Sequence, residues 1–209
     1  MTEILKDISI IIVSISAIYG IVAWRREHVG KRKIDLAEEV LCSIYEIKDI
    51  IRYMRSPFSY GGEGSTRKKA KNENPETSKI YDNAYIVHER YNEHADLFNN
   101  FYKLRYRYMA NFGKDAENPF KTIKNVINEI FGASRMLGMI YWQDRVQNFR
   151  PEVAAKRLEE MEKYEKVFWE IEINDKLNGK IDSAINICEE ICKSANSPGF
   201  KKIVTAQRN

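Results

Sequence analysis

The chain has few of the residues that interrupt helices or build the commonest active sites. Its 209 residues include five prolines, ten glycines, three cysteines and three histidines. So few turn-forming residues favour long helices over a many-stranded β fold. The cysteines, Cys42, Cys188 and Cys192, are odd in number and form no Cys-x-x-Cys pair, which argues against a disulfide framework or a zinc site.

The familiar catalytic and nucleotide-binding signatures are absent as well. The sequence contains no Walker loop, no Gly-x-Ser-x-Gly, no His-Glu-x-x-His and no dinucleotide-binding fingerprint. We therefore expect no metal and no cofactor, and no small-molecule substrate is evident. The net charge of +4 is mild, so it permits contact with anionic lipid or nucleic acid without requiring it.

One long apolar run is present, at residues 8–24, and it contains neither a charged residue nor a proline. As a helix it would rise about 25 Å, close to the roughly 30 Å of a bilayer's hydrocarbon core. Tyr19 and Trp24 lie towards its C-terminal end, where interfacial aromatic residues gather. We expect one transmembrane helix here. The alternatives are a cleavable signal peptide, which lacks a positive leader and an Ala-x-Ala-like site here, and a buried helix of a soluble protein.

A cluster of positive charge, the basic collar, follows the run: Arg25, Arg26, Lys31, Arg32 and Lys33. Positive residues beside a span stay in the cytoplasm. We therefore expect a single-pass protein of the cell membrane, with its N-terminus outside and its C-terminal domain in the cytoplasm.

The apolar run also carries a stripe of mostly small residues: Ser9, Val13, Ser16, Gly20 and Ala23. Their spacings of 4, 3, 4 and 3 place them on one side of a helix. Small residues in a span allow helices to approach closely. The stripe predicts self-association, and in an assembly of many copies it would line a narrow polar pore. The expected partners are therefore membrane lipid and further copies of the chain.

The sequence predicts an all-α protein, in which the transmembrane helix precedes a bundle of about four to five helices. We divide it into residues 1–30 as anchor and basic collar, 31–196 as the cytoplasmic helical domain, and 197–209 as a flexible tail. A second apolar seam continues the first helix as far as Ser56-Pro57: Val40, Ile44, Ile47, Ile51 and Met54. Residues 57–78 are polar and predict an exposed loop.

Caps and breaks predict four further helices. These are one from Thr77 or Ser78 to about Asn111, one from Asn118-Pro119, one from Pro151 to about Ile173, and one after a break at residues 174–179.

One pair of side chains suggests chemistry. Arg90 and His94 are four residues apart, which places them on the same face of a helix. A histidine can act as general acid or base in RNA cleavage while an arginine holds the scissile phosphate. The pair resembles the Arg–His motif of HEPN ribonucleases, which are helical bundles. The gap here is three residues rather than four to six, and Glu93 between the two would repel phosphate.

Taken together, the span, the collar, the helical domain and the short Arg–His pair resemble one family: the small single-span accessory proteins of type VI-B CRISPR systems. Members work beside an RNA-guided RNA nuclease. The resemblance implies a divergent HEPN-like domain, assembly into a membrane pore that strengthens antiphage defence, and RNA or an RNA-guided nuclease as partner. By this resemblance, the positions expected to take part in the family's function are Ser9, Ser16, Gly20, Arg90 and His94.

Three hypotheses follow. The first is a non-enzymatic, membrane-anchored protein that self-associates, as a pore-forming defence effector in its most specific form. The second is an anchored interaction or sensor module without channel activity. The third is a divergent HEPN-like ribonuclease.

Overall fold

The computed structural model describes residues 2–144, 150–172 and 174–196, and every regular element in that part of the chain is helical. Six helices make up this described part, and the predicted flexible tail at residues 197–209 lies outside it. The helices are α1 (Thr2–Met54), α2 (Pro75–Glu93), α3 (Ala95–Phe112), α4 (Asn118–Met136), α5 (Pro151–Phe168) and α6 (Lys176–Asn196). A 3₁₀ turn, Lys114–Glu117, precedes α4; a π-helical turn, Leu137–Tyr141, and one further turn, Trp142–Asp144, extend it. The predicted all-α class with a long N-terminal helix is confirmed.

The contacts divide the chain into two units. One consists of Val40–Glu189, and the other joins the described residues up to Glu39 with those from Glu190 onward. α1 is one uninterrupted helix of 53 residues, so the predicted continuation of the apolar run as far as Ser56-Pro57 is confirmed. The second apolar seam of α1, from Val40 to Met54, lies in the Val40–Glu189 unit, and all five of its residues are buried.

The core of the Val40–Glu189 unit is built around α4, which packs against α2, α3 and α5. Aromatic rings fill its centre: Phe120 of α4 stacks on Phe101 at 4.5 Å and meets Tyr108 edge-on at 5.7 Å. Phe101, Leu104 and Tyr108 are all buried on one side of α3. Burying an aromatic ring of this size contributes about 1.5–3 kcal/mol before the entropy of ordering it is subtracted.

Two predicted helix boundaries are wrong at α2. The helix begins at Pro75, not after Thr77 or Ser78, because Asn74 caps it: its Oδ1 accepts a hydrogen bond from the Glu76 amide at 2.9 Å. The predicted single helix up to Asn111 is broken at His94, whose φ and ψ of −115° and 17° are not helical. No glycine or proline marks this break; the ring of His94 instead packs edge-on against Tyr53 of α1 at 5.9 Å.

The predicted end of α5 is also wrong, because the helix stops at Phe168 rather than near Ile173. The guanidinium of Arg55, just after α1, donates hydrogen bonds to the carbonyl groups at the end of α5. It donates to the carbonyl oxygens of Lys166, Val167 and Trp169 at 2.8, 2.8 and 3.3 Å. The backbone amide of Glu170 in turn donates to the Arg55 carbonyl at 2.8 Å. The chain therefore leaves the helix where an arginine satisfies its exposed carbonyl groups.

Arg55 is 0% exposed and is paired with Asp175, at 2.5 Å between Nη2 and Oδ2 and 3.0 Å between Nη1 and Oδ1. Burial alone would raise the pKa of Asp175, but its hydrogen bond and charge interaction with Arg55 outweigh this and hold the pKa below its ordinary value. Asp175 also caps α6, accepting hydrogen bonds from the amides of Leu177 and Asn178 at 2.7 and 3.1 Å. One buried ion pair thus joins the end of α5 to the start of α6.

We expect Arg55→Ala to lower the free energy of unfolding by about 3–5 kcal/mol, because Asp175 and the end of α5 lose their buried donor. Arg52→Ala is the matched control: Arg52 lies one turn earlier with a 58% exposed side chain, and its 3.5 Å contact with Glu170 should be worth less than about 1 kcal/mol. Urea unfolding of the full chain in detergent micelles, followed by circular dichroism, measures both. Equal losses in the two variants would contradict this role for Arg55.

The π-helical turn brings Gly138 against α2. A Cβ at Gly138 would lie 2.7 Å from the Cβ of Ala84, whereas one at Gly132, a turn and a half earlier, would meet nothing within 4 Å. The Ser134 hydroxyl donates to the Ala84 carbonyl at 2.6 Å, which holds the two helices at this spacing. The extra residue of the turn also rotates the helix face, so Tyr141 is buried while Ile140 is 39% exposed.

Gly138→Ala and Gly132→Ala should therefore change stability in opposite directions. The first overpacks the contact with Ala84 and should cost about 1–3 kcal/mol. The second adds helix propensity in open space and should stabilise by up to about 1 kcal/mol. Thermal unfolding of the two variants beside the parent chain checks the pair, and stabilisation by Gly138→Ala would show that α2 and α4 are not this close.

Candidate ligand-binding site

The structure places the two predicted catalytic residues in a packed junction rather than an open site. Arg90 is 1% exposed and all five of its donors are engaged. It pairs with Glu63, at 2.5 Å from Nε to Oε1 and 3.0 Å from Nη2 to Oε2. The remaining hydrogen bonds go to carbonyl oxygens around the end of α1, those of Tyr53, Met54, Ser56 and Phe58.

The hydrogen bond from Arg90 lowers the pKa of Glu63, although burial opposes it. His94 sits beside this junction at the break between α2 and α3. Since the Arg90 guanidinium is fully used inside the protein, it has no donor left to hold a phosphate, and we treat it as a structural cation.

His88, on the same helix, lies within a stack of rings. Tyr85 is 5.4 Å away and Phe131 is 4.2 Å away, both nearly parallel to the imidazole. Desolvation by these neighbours lowers the pKa of His88, and the nearby positive charge of Arg135 lowers it further. The neutral imidazole is therefore the form that the fold prefers.

The stripe and the basic collar both belong to α1. The described side chains between Ser9 and Val29 are exposed, Tyr19 and Trp24 at 77% and 67%. Ser16 donates to the carbonyl of Ile12 at 2.8 Å, and nothing lies within 4 Å of where a Cβ of Gly20 would be. Arg25, Arg26, Lys31 and Arg32 are exposed and Lys33 is half-buried. α1 is long and apolar enough to cross a membrane, and none of its apolar window is buried.

A cavity of about 440 Å³ opens between α2, the loop after α1 and the end of α5 in the Val40–Glu189 unit. Its walls are two tryptophans, two isoleucines and three polar residues, namely Trp142, Trp169, Ile80, Ile86, Asn83, Ser59 and Glu165. No group of carboxylate, histidine or cysteine side chains in the described residues could hold a metal ion. The cavity is mostly apolar with a few polar groups, a composition that makes it a candidate site for an organic ligand.

The two indoles are fixed by their neighbours. The Trp142 Nε1 donates to Glu165 Oε1 at 2.8 Å. Both rings meet Phe168 edge-on, Trp142 at 5.4 Å and Trp169 at 4.3 Å, and Phe168 itself is 0% exposed. Rings locked in this way lose little entropy when a ligand binds against them.

The two buried arginines hold two walls of this cavity. Arg90 donates to the carbonyl of Phe58 at 2.7 Å, which fixes the loop carrying Ser59. Arg55 donates to the carbonyl of Trp169. Arg90, for which the sequence suggested a catalytic role, thus has a structural role in the loop beside the cavity.

The cavity was not predicted from the sequence. Trp142 and Trp169 are 27 positions apart and belong to no motif, and Asn83 comes from a third element, α2. The one available signal was that two of the chain's three tryptophans lie outside the apolar run. Comparison of the chain with known protein families, curated proteins and solved structures found no match.

His88 should make stability depend on pH near neutrality. Its lowered pKa means that the unfolded chain takes up a proton first as the pH falls. The contribution of the neutral His88 to the free energy of unfolding is fully present above the ordinary histidine pKa of about 6.5, and it is lost as the pH drops below that value. We expect the thermal midpoint to fall between about pH 7.5 and 5.5, with a shallower fall in His88→Phe, because that variant has no imidazole to protonate there. Identical pH profiles for the two proteins would contradict the assignment.

Proposed function

We propose that the protein is a membrane-anchored helical protein that self-associates through α1. One observation carries the proposal: the apolar stretch of α1 is exposed throughout, with residues such as Ile11, Ile15 and Ile18 57–63% accessible. An exposed apolar surface of this length is costly in water and is removed by a bilayer. The basic collar that follows supports an orientation with the domain in the cytoplasm.

Self-association is supported by the stripe. Ser16 satisfies its hydroxyl within its own helix, and Gly20 presents bare backbone. Both leave room for a second helix to approach, and in lipid it is this packing, not the hydrophobic effect, that drives helices together. The resemblance to the single-span accessory family adds a more specific form of the proposal, in which the assembled spans make a pore that acts in antiphage defence.

The stripe offers a matched pair for a test. Ser14 and Ser16 make the same 2.8 Å hydrogen bond to the carbonyl four residues earlier, but Ser14 points away from the stripe. We expect Ser16→Leu or Gly20→Leu to shift the full chain in detergent from oligomer to smaller species, since a bulky residue blocks close approach. Ser14→Leu should leave the size unchanged. Light scattering coupled to size-exclusion chromatography measures it, and a monomeric parent chain would refute self-association.

The cavity supports a second candidate function, an anchored sensor module. A preformed pocket with rigid aromatic walls is a feature of ligand binding and has no part in lining a pore. Membrane potential separates the two candidates: overproduction of a pore depolarises the cell, whereas a sensor without channel activity leaves the potential unaltered.

A further inference from the structure

We propose that the Trp142–Trp169 cavity binds a purine base, free or as its nucleoside; the proposal deepens the sensor candidate and rests on it. Three features of the cavity support this ligand: flat apolar walls, hydrogen-bonding groups of both kinds, and no positive charge among the described lining residues.

The walls suit a flat aromatic ligand. Trp142 and Trp169 present indole rings that both contact Phe168 edge-on, and Ile80 and Ile86 on α2 complete the apolar lining. A base stacked on such a ring gains about 1–3 kcal/mol. A bicyclic purine covers more of an indole than a pyrimidine does, and a volume of about 440 Å³ accommodates it together with a ribose.

The polar groups match a base edge. Asn83 supplies an amide that both donates and accepts, and Ser59 supplies a hydroxyl. Glu165 accepts the hydrogen bond of the Trp142 indole and so orients that wall. A purine carries amino or imino donors next to ring-nitrogen acceptors, so it can pair with both Asn83 and Ser59.

The lining also argues against a nucleotide. Its described residues include no lysine and no arginine, and Glu165 would repel a phosphate. Arg55 and Arg90, though close, direct their donors to carbonyl oxygens and carboxylates inside the protein. The ligand is therefore the base or the nucleoside rather than its phosphate.

The chain's three tryptophans make the test direct. In the full chain carrying Trp24→Phe, in detergent micelles, the remaining indole emission comes from Trp142 and Trp169 alone. Stacking a base on either ring should quench that emission. We expect guanosine or adenosine to quench it saturably, whereas guanosine 5′-monophosphate should bind at least about tenfold more weakly, a difference of about 1.4 kcal/mol.

The matched variants are Asn83→Leu and Asn92→Leu, on the same helix. Asn83 lines the cavity, and Asn92, nine residues on, is exposed on the opposite side of α2. Asn83→Leu should weaken nucleoside binding by about tenfold and Asn92→Leu should not change it. Circular dichroism confirms that both variants are folded.

Three results would overturn the proposal: no saturable quenching by either nucleoside, equal binding by the two asparagine variants, or saturable quenching by choline alone. Choline would show that the aromatic walls and Glu165 recognise an organic cation, which removes the purine while leaving the sensor candidate in place. None of these results bears on self-association, which the Ser14 and Ser16 variants measure separately.

Discussion

Two of the described arginine side chains in the Val40–Glu189 unit are buried, and the need to pair each of them governs where α1 and α5 end. A guanidinium out of water is tolerated only when its charge is matched and its donors are all used. Arg90 meets this requirement at the end of α1 with Glu63 and four carbonyl oxygens. Arg55 meets it at the end of α5 with Asp175 and three. Each arginine thereby supplies donors to carbonyl groups that a helix leaves unpaired at its C-terminus. The helices stop where these cations are held, and the chain turns there.

The candidate cavity is a consequence of these endings. Its loop wall begins beside Phe58, whose carbonyl Arg90 holds, and its far wall includes Trp169, whose carbonyl Arg55 holds. The third wall depends on the π-helical turn, which precedes Trp142 and lets Gly138 approach Ala84. The loop wall and the Trp169 wall are therefore held by hydrogen bonds inside the protein before any ligand arrives. Such preorganisation lowers the entropy cost of binding.

The parts of the fold that could be predicted from the sequence are those governed by one helix at a time. The seam from Val40 to Met54 was predicted because burial on one side of α1 imposes a helical period. The start of α4 at Asn118 was predicted from an Asn-Pro pair, although the capping position there belongs to Glu117 and has no side-chain hydrogen bond. The same Asn-Pro pair stands at Asn74, where the polar surroundings obscured it. The break at His94 has no local sequence signal. The contact that accompanies it is with Tyr53, a residue 41 positions earlier in the chain. The cavity depends on residues from separate helices, so no single segment of the sequence contains it. The catalytic interpretation of Arg90 came from spacing alone, and spacing does not reveal that α1 ends beside that residue.

The kind of partner decides what these buried charges contribute. A buried pair of side chains can often be replaced by apolar residues without loss, because both charges disappear together. Such a replacement by apolar residues does not work here, because most acceptors of Arg55 and Arg90 are backbone carbonyl oxygens that no substitution removes. Replacing Arg55 and Asp175 together by apolar residues would still leave the carbonyls of Lys166, Val167 and Trp169 without their donor. Each of these part-buried carbonyls would lose a hydrogen bond to a charged donor, a contribution of about 1.5–3 kcal/mol. The arginines are therefore held in place by the backbone they cap, and the walls of the cavity are fixed by the same hydrogen bonds.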